Sequence, residues 1–536
     1  MMHLIPVFFV FIPIIGALVV YLFKGRFPAY ILFLCQAVLI GLYVSYILAL
    51  GSNPNISLIV FGGWDELFAI SFHNDRLSLT FVGLTIFMWT MLLLYTFKTN
   101  QDENKFLFFL MFLQGIFLGL IQTNDLFNLF VFLELMTVLI TILIAYKKTG
   151  PSFRAGIYYL LLNTIGAMFF LIGIIMIYYV YGTINIQYLI ENMHLYADEK
   201  LIRLAYVMML SGISVKAAFF PLFTWLPMAH GVAQTSISAL LSGLVVKGAL
   251  YMYIRINLNM FSTAPYQMTE VFFYIGALTA LTGVIFALTQ KDLKQILAYH
   301  TVSQIGIMMM GLSSVAELSY VGGLMHILNH ALFKSLLFLG AGLVIHAYQT
   351  KKVYEIRGVL KSMPLTAILL IVGMLSISGA PFFNGFVSKT LVKYDFKNDL
   401  FKMLIFTLIN IGTITSFIKF SQILFGHRVD IEKRNDLMQM ISMIIIGLGC
   451  IAIGLFYVPI GQLVFNKNLS YVNHLDPRQW IDYLTYVMIG MIFYRYVIAR
   501  DFKPLKWIRE FKITFENANY MFILYMVMIS FFMFFR

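Results

Sequence analysis

The stretch SGISVKAAFFPLFTWLPMAHGVAQTSISALLSGLVVK, Ser211 to Lys247, decides the fold. It is apolar enough to lie in a bilayer, yet it carries Lys216, Lys247, His230, Pro221 and Pro227. A charged side chain at mid-bilayer costs about 2.5–3.5 kcal/mol on insertion scales. Proline removes a backbone donor and clashes with the preceding turn, so the helix holding Lys216 is expected to break near Pro221 and Pro227. A broken helix survives at membrane depth only where protein or a wet cavity surrounds it. Lys216 is therefore expected at a discontinuous helix that faces an internal hydrated path, which is the signature of a transporter.

The whole chain agrees with that solvent. Its 536 residues are 61% hydrophobic and 11% charged, and the mean hydropathy is +0.87. Soluble domains carry about 25% charged residues, so a polytopic, all-α membrane protein is expected. The formal charge of +13 is read as cytoplasmic loops obeying the positive-inside rule, with no nucleic-acid partner. The first apolar run lacks a positive leader and a cleavage site of small residues, so it is read as a retained span. Cys35 and Cys450 both fall inside apolar runs and suggest neither a disulfide scaffold nor an iron–sulfur site.

Roughly sixteen apolar runs can be marked, near 4–23, 28–50, 77–97, 105–122, 125–146, 155–181, 203–221, 232–257, 269–289, 297–315, 317–346, 365–396, 402–425, 438–464, 480–499 and 519–535. Alternate loops are basic: Lys24 and Arg26; Lys98 and Lys105; Lys147, Lys148 and Arg154; Lys291 and Lys294. The series continues through Lys351, Lys352, Arg357 and Lys361, then Arg428, Lys433 and Arg434, then Arg500 to Lys512. Roughly 21 Lys and Arg on that side against about 10 on the other put both termini outside a cytoplasmic membrane. The segment 51–76 reads as a small external β-hairpin with Gly62-Gly63 as its turn.

A second breaking stretch, SISGAPFFNGFVSK (Ser376 to Lys389), interrupts the twelfth span with Gly379, Pro381 and Gly385, and again a lysine stands beside it. The first break lies in the seventh span. If spans 4–8 and 9–13 are units, each break falls in the fourth helix of its unit, and an odd number of spans gives the units opposite topology. Paired interruptions of this kind point to an inverted-repeat transporter. The expected division is 1–104, with three helices and the hairpin; 105–257 and 269–425, the two repeats; and 426–536, helices 14–16.

Among the ionisable residues in these runs, Glu134 stands alone between Asp125 and Tyr146. It is either a structurally paired acid or a proton-site carboxylate, with Lys216 and Lys247 as expected network partners. Burial disfavours the charged form of a lysine, which lets it release a proton as an arginine could not. His326, His330 and Lys334 recur every four residues and share one helical face beside Asn329. That face reads as a polar relay, with satisfied core histidines as the plainer alternative. His-x-x-x-His alone lacks a third zinc ligand, so no metal is expected. Lys389 would end the axis. His230 and His300 are secondary candidates, the latter either on the axis or capping an interface. Lys419 is either functional or snorkelling at a helix end. Asp292, between Lys291 and Lys294, reads as a cap or a partner contact. Asn163, Thr164, Ser214 and Ser238 are the oxygens available for sodium. No nucleotide, haem or flavin motif is present, so no cofactor is expected.

Six motifs in order carry a family resemblance: Glu134 in its apolar helix, Lys216 before its break, LPMAH with SALLSGLVVKGALY (226–230, 238–251), DLKQILAYHTVSQIG (292–306), HILNHALFKSLLFLGAG (326–342) and GAPFFNGFVSK (379–389). Together they resemble the antiporter-like subunit family, which includes the proton-pumping subunits of respiratory complex I, large subunits of Mrp-type sodium/proton antiporters, and membrane-bound hydrogenase subunits. The resemblance covers roughly residues 75–425. It implies fourteen core helices, two inverted five-helix repeats and a central axis of Glu, Lys and His. By that resemblance Glu134 and Lys216 pair in the first half-channel, Lys247 connects, His330 relays, and Lys389 ends the second half-channel. A lysine at 389 is similar to the Mrp D-type subunit and to some complex I members; Met228, Gln234 and His300 depart from the residues usual in the family. Two helices beyond the fourteenth are additional.

The expected function is a proton-translocating subunit of a multisubunit cation/proton antiporter of Mrp type, with sodium as the candidate second ion. Its expected partners are the bilayer and other integral membrane subunits, small and Mrp-like. The alternatives are the pumping arm of a hydrogenase or complex I-like redox complex, with redox subunits as partners, and a bicarbonate-uptake subunit.

Overall fold

The protein is described from a computed structural model that covers residues 4–23, 27–50, 57–97, 103–430, 436–500, 503–511 and 513–534. Of the basic loop positions, Lys24, Arg26, Lys98, Lys433, Arg434 and Lys512 lie outside the described residues. Among the described residues, 13 helices are long and apolar enough to cross a membrane. Three further crossings fall short of that measure, and all three carry polar interior residues: Lys200–Lys216 continued by Trp225–Val232; Leu293–Leu312; and Pro364–Ser378 continued by Asn384–Val392. Together they make the sixteen expected runs of a multi-pass, all-α membrane protein.

Local chemistry sets where these helices begin. Asp75 caps the helix Arg76–Thr96 by accepting from the Ser78 N–H, and the Ser78 hydroxyl closes the capping box. Asp125 accepts from the Asn128 N–H at 2.6 Å, and Thr149 caps Gly150–Tyr181 with Ser152. Asp292 accepts from the Lys294 and Gln295 N–H groups at 2.8 and 3.2 Å, so its role as a cap is structural. Lys294 is not a solvated loop cation, as its position suggested. It is buried, and its ammonium donates to the Ala233 carbonyl at 2.9 Å.

The two halves of the chain share a register. The helix Leu126–Ala145 corresponds to Leu293–Leu312, and Gly150–Tyr181 to Glu317–Tyr348. Each of these four boundaries moves by the same 167 positions: 126 to 293, 145 to 312, 150 to 317, 181 to 348. The isolated bridge Asp125–Asn185 maps by the same step onto Asp292–Lys352. Residue identity is weak, yet cap, helix length and bridge recur, as inverted five-helix repeats require.

The expected hairpin forms from Ser57–Val60 and Ser71–Asn74, paired antiparallel with Val60 opposite Ser71. Gly62 and Gly63 both take positive φ, 81° and 71°, but they open a connection over residues 61–70 instead of closing a tight turn. Residues 51–56 lie outside the described residues.

Both helix breaks end in the same device. At the first, Phe219 N–H returns to the Ser214 carbonyl and Ala218 N–H to that of Val215, each at 3.1 Å, with Ala218 at φ 57°. At the second, Ala380 N–H returns to Leu375 at 3.0 Å and Gly379 N–H to Ser376 at 3.2 Å, with Gly379 at φ 79°. This is the Schellman arrangement, which satisfies the last carbonyls of a helix through one left-handed residue. Pro227 does not break the helix as the sequence suggested. It lies in the first turn of Trp225–Val232, where its missing N–H would have had no intrahelical partner. Gly385 serves by closeness, because a Cβ there would stand 1.8 Å from the Ser376 carbonyl oxygen.

Candidate functional site

The first break presents Lys216 at the end of its half-helix. Its ammonium donates to Thr137 Oγ1 at 2.8 Å and lies 3.5 Å from Glu134 Oε1. Thr164 Oγ1 donates to the other carboxylate oxygen at 3.4 Å. The lysine side chain is 5% exposed and the glutamate 23%, so the carboxylate reaches the surface of the chain while the ammonium stays inside. Trp225, from beyond the break, donates its indole N–H to the Val215 carbonyl at 2.8 Å and stitches the two half-helices together.

Lys247 does not join that pair; among the described residues no hydrogen bond connects it with Glu134 or Lys216. It is fully buried, its ammonium 2.5 Å from His330 Nδ1 and bonded to the Ser242 carbonyl. Just before Lys247, Leu241–Val245 is a π-helical turn, a form of bulge that recurs at functional positions. The His326 and His330 rings are 6.5 Å apart. His326 in turn meets Ser388 Oγ at 2.8 Å and Gln304 Oε1 at 3.0 Å. Asn329 and Asn384 clamp this helix to the second half of the broken one by donating to each other's carbonyls, at 2.8 and 3.3 Å.

Lys389 stands next to Ser388 and donates to the Ile377 carbonyl at 2.7 Å and to Asn410 Oδ1 at 3.0 Å. Ile377 is in the last turn before the second break. A cleft of about 400 Å³ opens on Lys389, walled by Ser378, Lys393, Asn410, Asp482 and Tyr483.

Lys334 turns away from the histidines. Its ammonium donates to the Leu297 carbonyl and lies 5.4 Å from the Phe338 ring centre. His230 stacks on the same ring at 4.7 Å. His300 packs on Phe417 at 4.8 Å. Lys419 donates to the carbonyls of Ala287, Leu288 and Gln290 at 3.0, 2.8 and 2.7 Å. It therefore caps the C-terminus of Thr269–Thr289, where a cation suits the helix dipole.

Several polar atoms along this interior are buried without a protein hydrogen-bond partner among the described residues: His330 Nε2, both ring nitrogens of His230 and of His300, Gln304 Nε2 and Asn384 Oδ1. An unpartnered buried polar atom costs about 1–3 kcal/mol, and ordered water is its usual remedy. The four residues considered for sodium each have a protein partner: Asn163 donates to the Tyr159 carbonyl, Thr164 to Glu134, Ser214 meets Tyr525 and Ser238 turns to the His230 carbonyl. Among the described residues no cluster of three His, Cys, Asp or Glu side chains forms.

Sequence reasoning missed Thr137, Ser388, Gln304 and Asn410, the neutral partners of the charged groups. Thr, Ser, Gln and Asn are common enough in membrane helices that nothing in their spacing marks them. It also missed the pair Arg255–Asp75, joined by two bonds of 2.5 and 2.6 Å. An arginine near the end of an apolar helix, with an acid at a distant helix start, was the available signal.

Discontinuous helices, a repeated register and lysines and histidines buried between them define a polytopic membrane fold of the antiporter-like kind. The family described as NADH:quinone oxidoreductase/Mrp antiporter, TM, matches residues 123–419, and the chain belongs to it. A Staphylococcus aureus protein named as antiporter subunit mnhD2 is 31% identical over 335 residues, 62% of this chain and 67% of that one. Two solved structures share the fold. A chain of the Mrp complex from Dietzia sp. DQ12-45-1b aligns with a TM-score of 0.81 at 21% identity, covering 91% of this chain and 99% of that chain. A chain of the membrane-bound sulfane sulfur reductase, an archaeal respiratory membrane complex, also gives 0.81, at 24% identity over 90% and 99%. The protein is thus an antiporter-type subunit, and these relatives work within multisubunit membrane complexes.

Proposed function

We propose that this chain is the proton-translocating subunit of a multisubunit cation/proton antiporter of Mrp type. The observation that carries the reading is the contact of 2.5 Å between the fully buried Lys247 ammonium and His330 Nδ1. Two basic nitrogens at that distance share one proton, since one must donate and the other accept. Among the described residues no carboxylate bonds either nitrogen, so neighbouring charges decide where the proton rests.

Glu134 and Lys216 form the loading pair, with the carboxylate reaching the chain's surface. A change of charge there biases the Lys247–His330 pair through the low-dielectric interior. His330 passes the change toward His326 and Ser388, and Lys389 exchanges a proton with the cleft beside it. The unpartnered ring nitrogens and amides offer sites for the waters that such transfer needs. Lys334, His230 and His300 flank this route and tune its field; Lys419 is assigned a capping role. The units 105–257 and 269–425 each hold one half-channel, and the positive-inside rule places the chain in a cytoplasmic membrane with both termini outside.

A second reading, the pumping arm of a redox complex, is favoured by the equal structural likeness to a respiratory membrane complex subunit. Mass spectrometry of what co-purifies in mild detergent separates the two. Small hydrophobic membrane subunits alone support the antiporter. Iron–sulfur, nickel or flavin subunits replace it with the second reading.

A further inference from the structure

The segment beyond the fourteenth helix touches both broken helices, and it does so with the same chemistry. At the first break, the Tyr525 hydroxyl lies 2.7 Å from Ser214 Oγ. Ser214 donates its own proton to the Leu210 carbonyl at 2.7 Å, so Tyr525 is the donor of the pair. At the second break, the Tyr483 hydroxyl lies 3.1 Å from Ser378 Oγ, and Ser378 donates to the Leu375 carbonyl at 3.0 Å. Again the tyrosine must donate.

Both serines are parts of the breaks themselves. Ser214 supplies the carbonyl that closes the first Schellman turn, two residues before Lys216. Ser378 is the last residue of the half-helix Pro364–Ser378, next to the Ile377 carbonyl that holds Lys389. The two tyrosines sit on different helices of one connected segment. Tyr483 belongs to Pro477–Phe493, whose Gly490 packs against Leu400–Ser421. Tyr525 belongs to Phe515–Phe534, which also reaches the far side of the first break: Phe515 meets the Tyr158 ring at 5.8 Å, and Tyr158 bonds Thr224 at 2.7 Å. Between them, the short helix Lys503–Glu510 is tied by an Arg509 bond of 3.3 Å to the Thr289 carbonyl.

We infer that this C-terminal segment is a strap across the two half-channels, and that Tyr525 and Tyr483 are positioning residues which hold the breaks and so set where Lys216 and Lys389 stand. This rests on the reading of those lysines as exchange groups. Glu134 is the charged group beside Lys216, Tyr159 lies beside Glu134 and Thr137, and Tyr525 stands behind Ser214. Lys393, Asp482, Tyr483 and Tyr486 share the cleft with Lys389, and His326 and His300 lie near enough to feel its charge.

The test uses the full chain in its native membrane complex, in vesicles with an internal pH dye. Tyr525→Phe and Tyr483→Phe each remove one hydroxyl and keep the ring. Each is expected to insert normally, to slow proton exchange about three- to tenfold, and to move the pH profile of transport by about half a unit or more. A purely structural contact would lower the amount of protein and leave that profile in place. If a Phe variant fails to insert, Ser214→Ala or Ser378→Ala removes the same bond from its acceptor side. Wild-type rates and profiles in all inserted variants, alongside a silent Glu134→Gln, overturn the strap and leave the axis standing. Normal flux in Glu134→Gln overturns the axis, and the strap's role with it.

Discussion

Replacing Glu134 by glutamine keeps the shape of the side chain and deletes one negative charge 3.5 Å from the Lys216 ammonium. At an effective dielectric of about 20, two unit charges at that distance attract by about 5 kcal/mol. Water reaches this carboxylate, which is 23% exposed while the lysine is 5% exposed, so about 3 kcal/mol is the sounder figure. The remaining bond from Lys216 goes to the uncharged Thr137 hydroxyl, which brings no opposite charge and replaces little of that loss. A difference of about 3 kcal/mol is roughly a hundredfold in occupancy of the charged pair, and proton exchange in everted vesicles should fall by about that factor. Glu134→Asp keeps the charge but withdraws it by one methylene, and should fall between the two. Immunoblots of the membranes confirm that each variant is inserted. Flux in Glu134→Gln within about threefold of the parent, at equal insertion, would refute both the electrostatic argument and the assignment of Glu134 as the loading acid.

Gly385→Ala should abolish transport and lower the amount of inserted protein, because its Cβ would meet the Ser376 carbonyl oxygen at 1.8 Å and backbone cannot yield there; normal levels and activity would show that the second break is looser than described. Asp75→Asn strips the partner from Arg255, which is bound bidentately and also reaches Tyr251 at 2.9 Å. It should cost about 2 kcal/mol, less than a fully dry pair because the acid is partly exposed, seen as a lower thermal midpoint in detergent. His474, in the loop before Pro477–Phe493, accepts from the Phe382 N–H at 3.2 Å and meets the Gly454 carbonyl at 2.7 Å. Burial holds it below the usual histidine range, against the opposing pull of the Gly454 carbonyl. Its neutral form therefore stabilises the fold above pH about 6.5, and that contribution is lost as the pH falls below this value, since the unfolded chain takes up the proton first. Wild-type thermal stability should drop more between pH 7.5 and 5.5 (roughly one unit either side of an ordinary histidine) than that of His474→Gln; equal slopes would exclude the group.

How much of this was legible beforehand differs by level. Composition and spacing alone showed the solvent, the sixteen apolar runs, both breaks and the charged residues inside those runs. Burying Glu134, Lys216, Lys247, His330 and Lys389 in apolar runs costs so much that their presence is a signal in one dimension. The register of the two halves was only partly visible, because caps and helix lengths recur at a constant step while residue identities do not. Pro227 misled because the same ring that breaks a helix interior is tolerated in a first turn.

Tertiary structure alone decided which charges meet. Lys216 found Glu134 while Lys247 found His330, although both lysines had seemed open to the acid. Lys334 shares a helical face with the two histidines, but its long side chain leaves that face for the Leu297 carbonyl. Lys419 was settled as a cap by carbonyls 129 to 132 positions away. The strap of Tyr483 and Tyr525 was invisible because a tyrosine in a membrane helix is ordinary; only the fold brings each hydroxyl to a serine at a break. The cost of burying charge is a property of one segment and its solvent, so it shows in the sequence, whereas the choice of partner depends on distances between segments that only packing fixes.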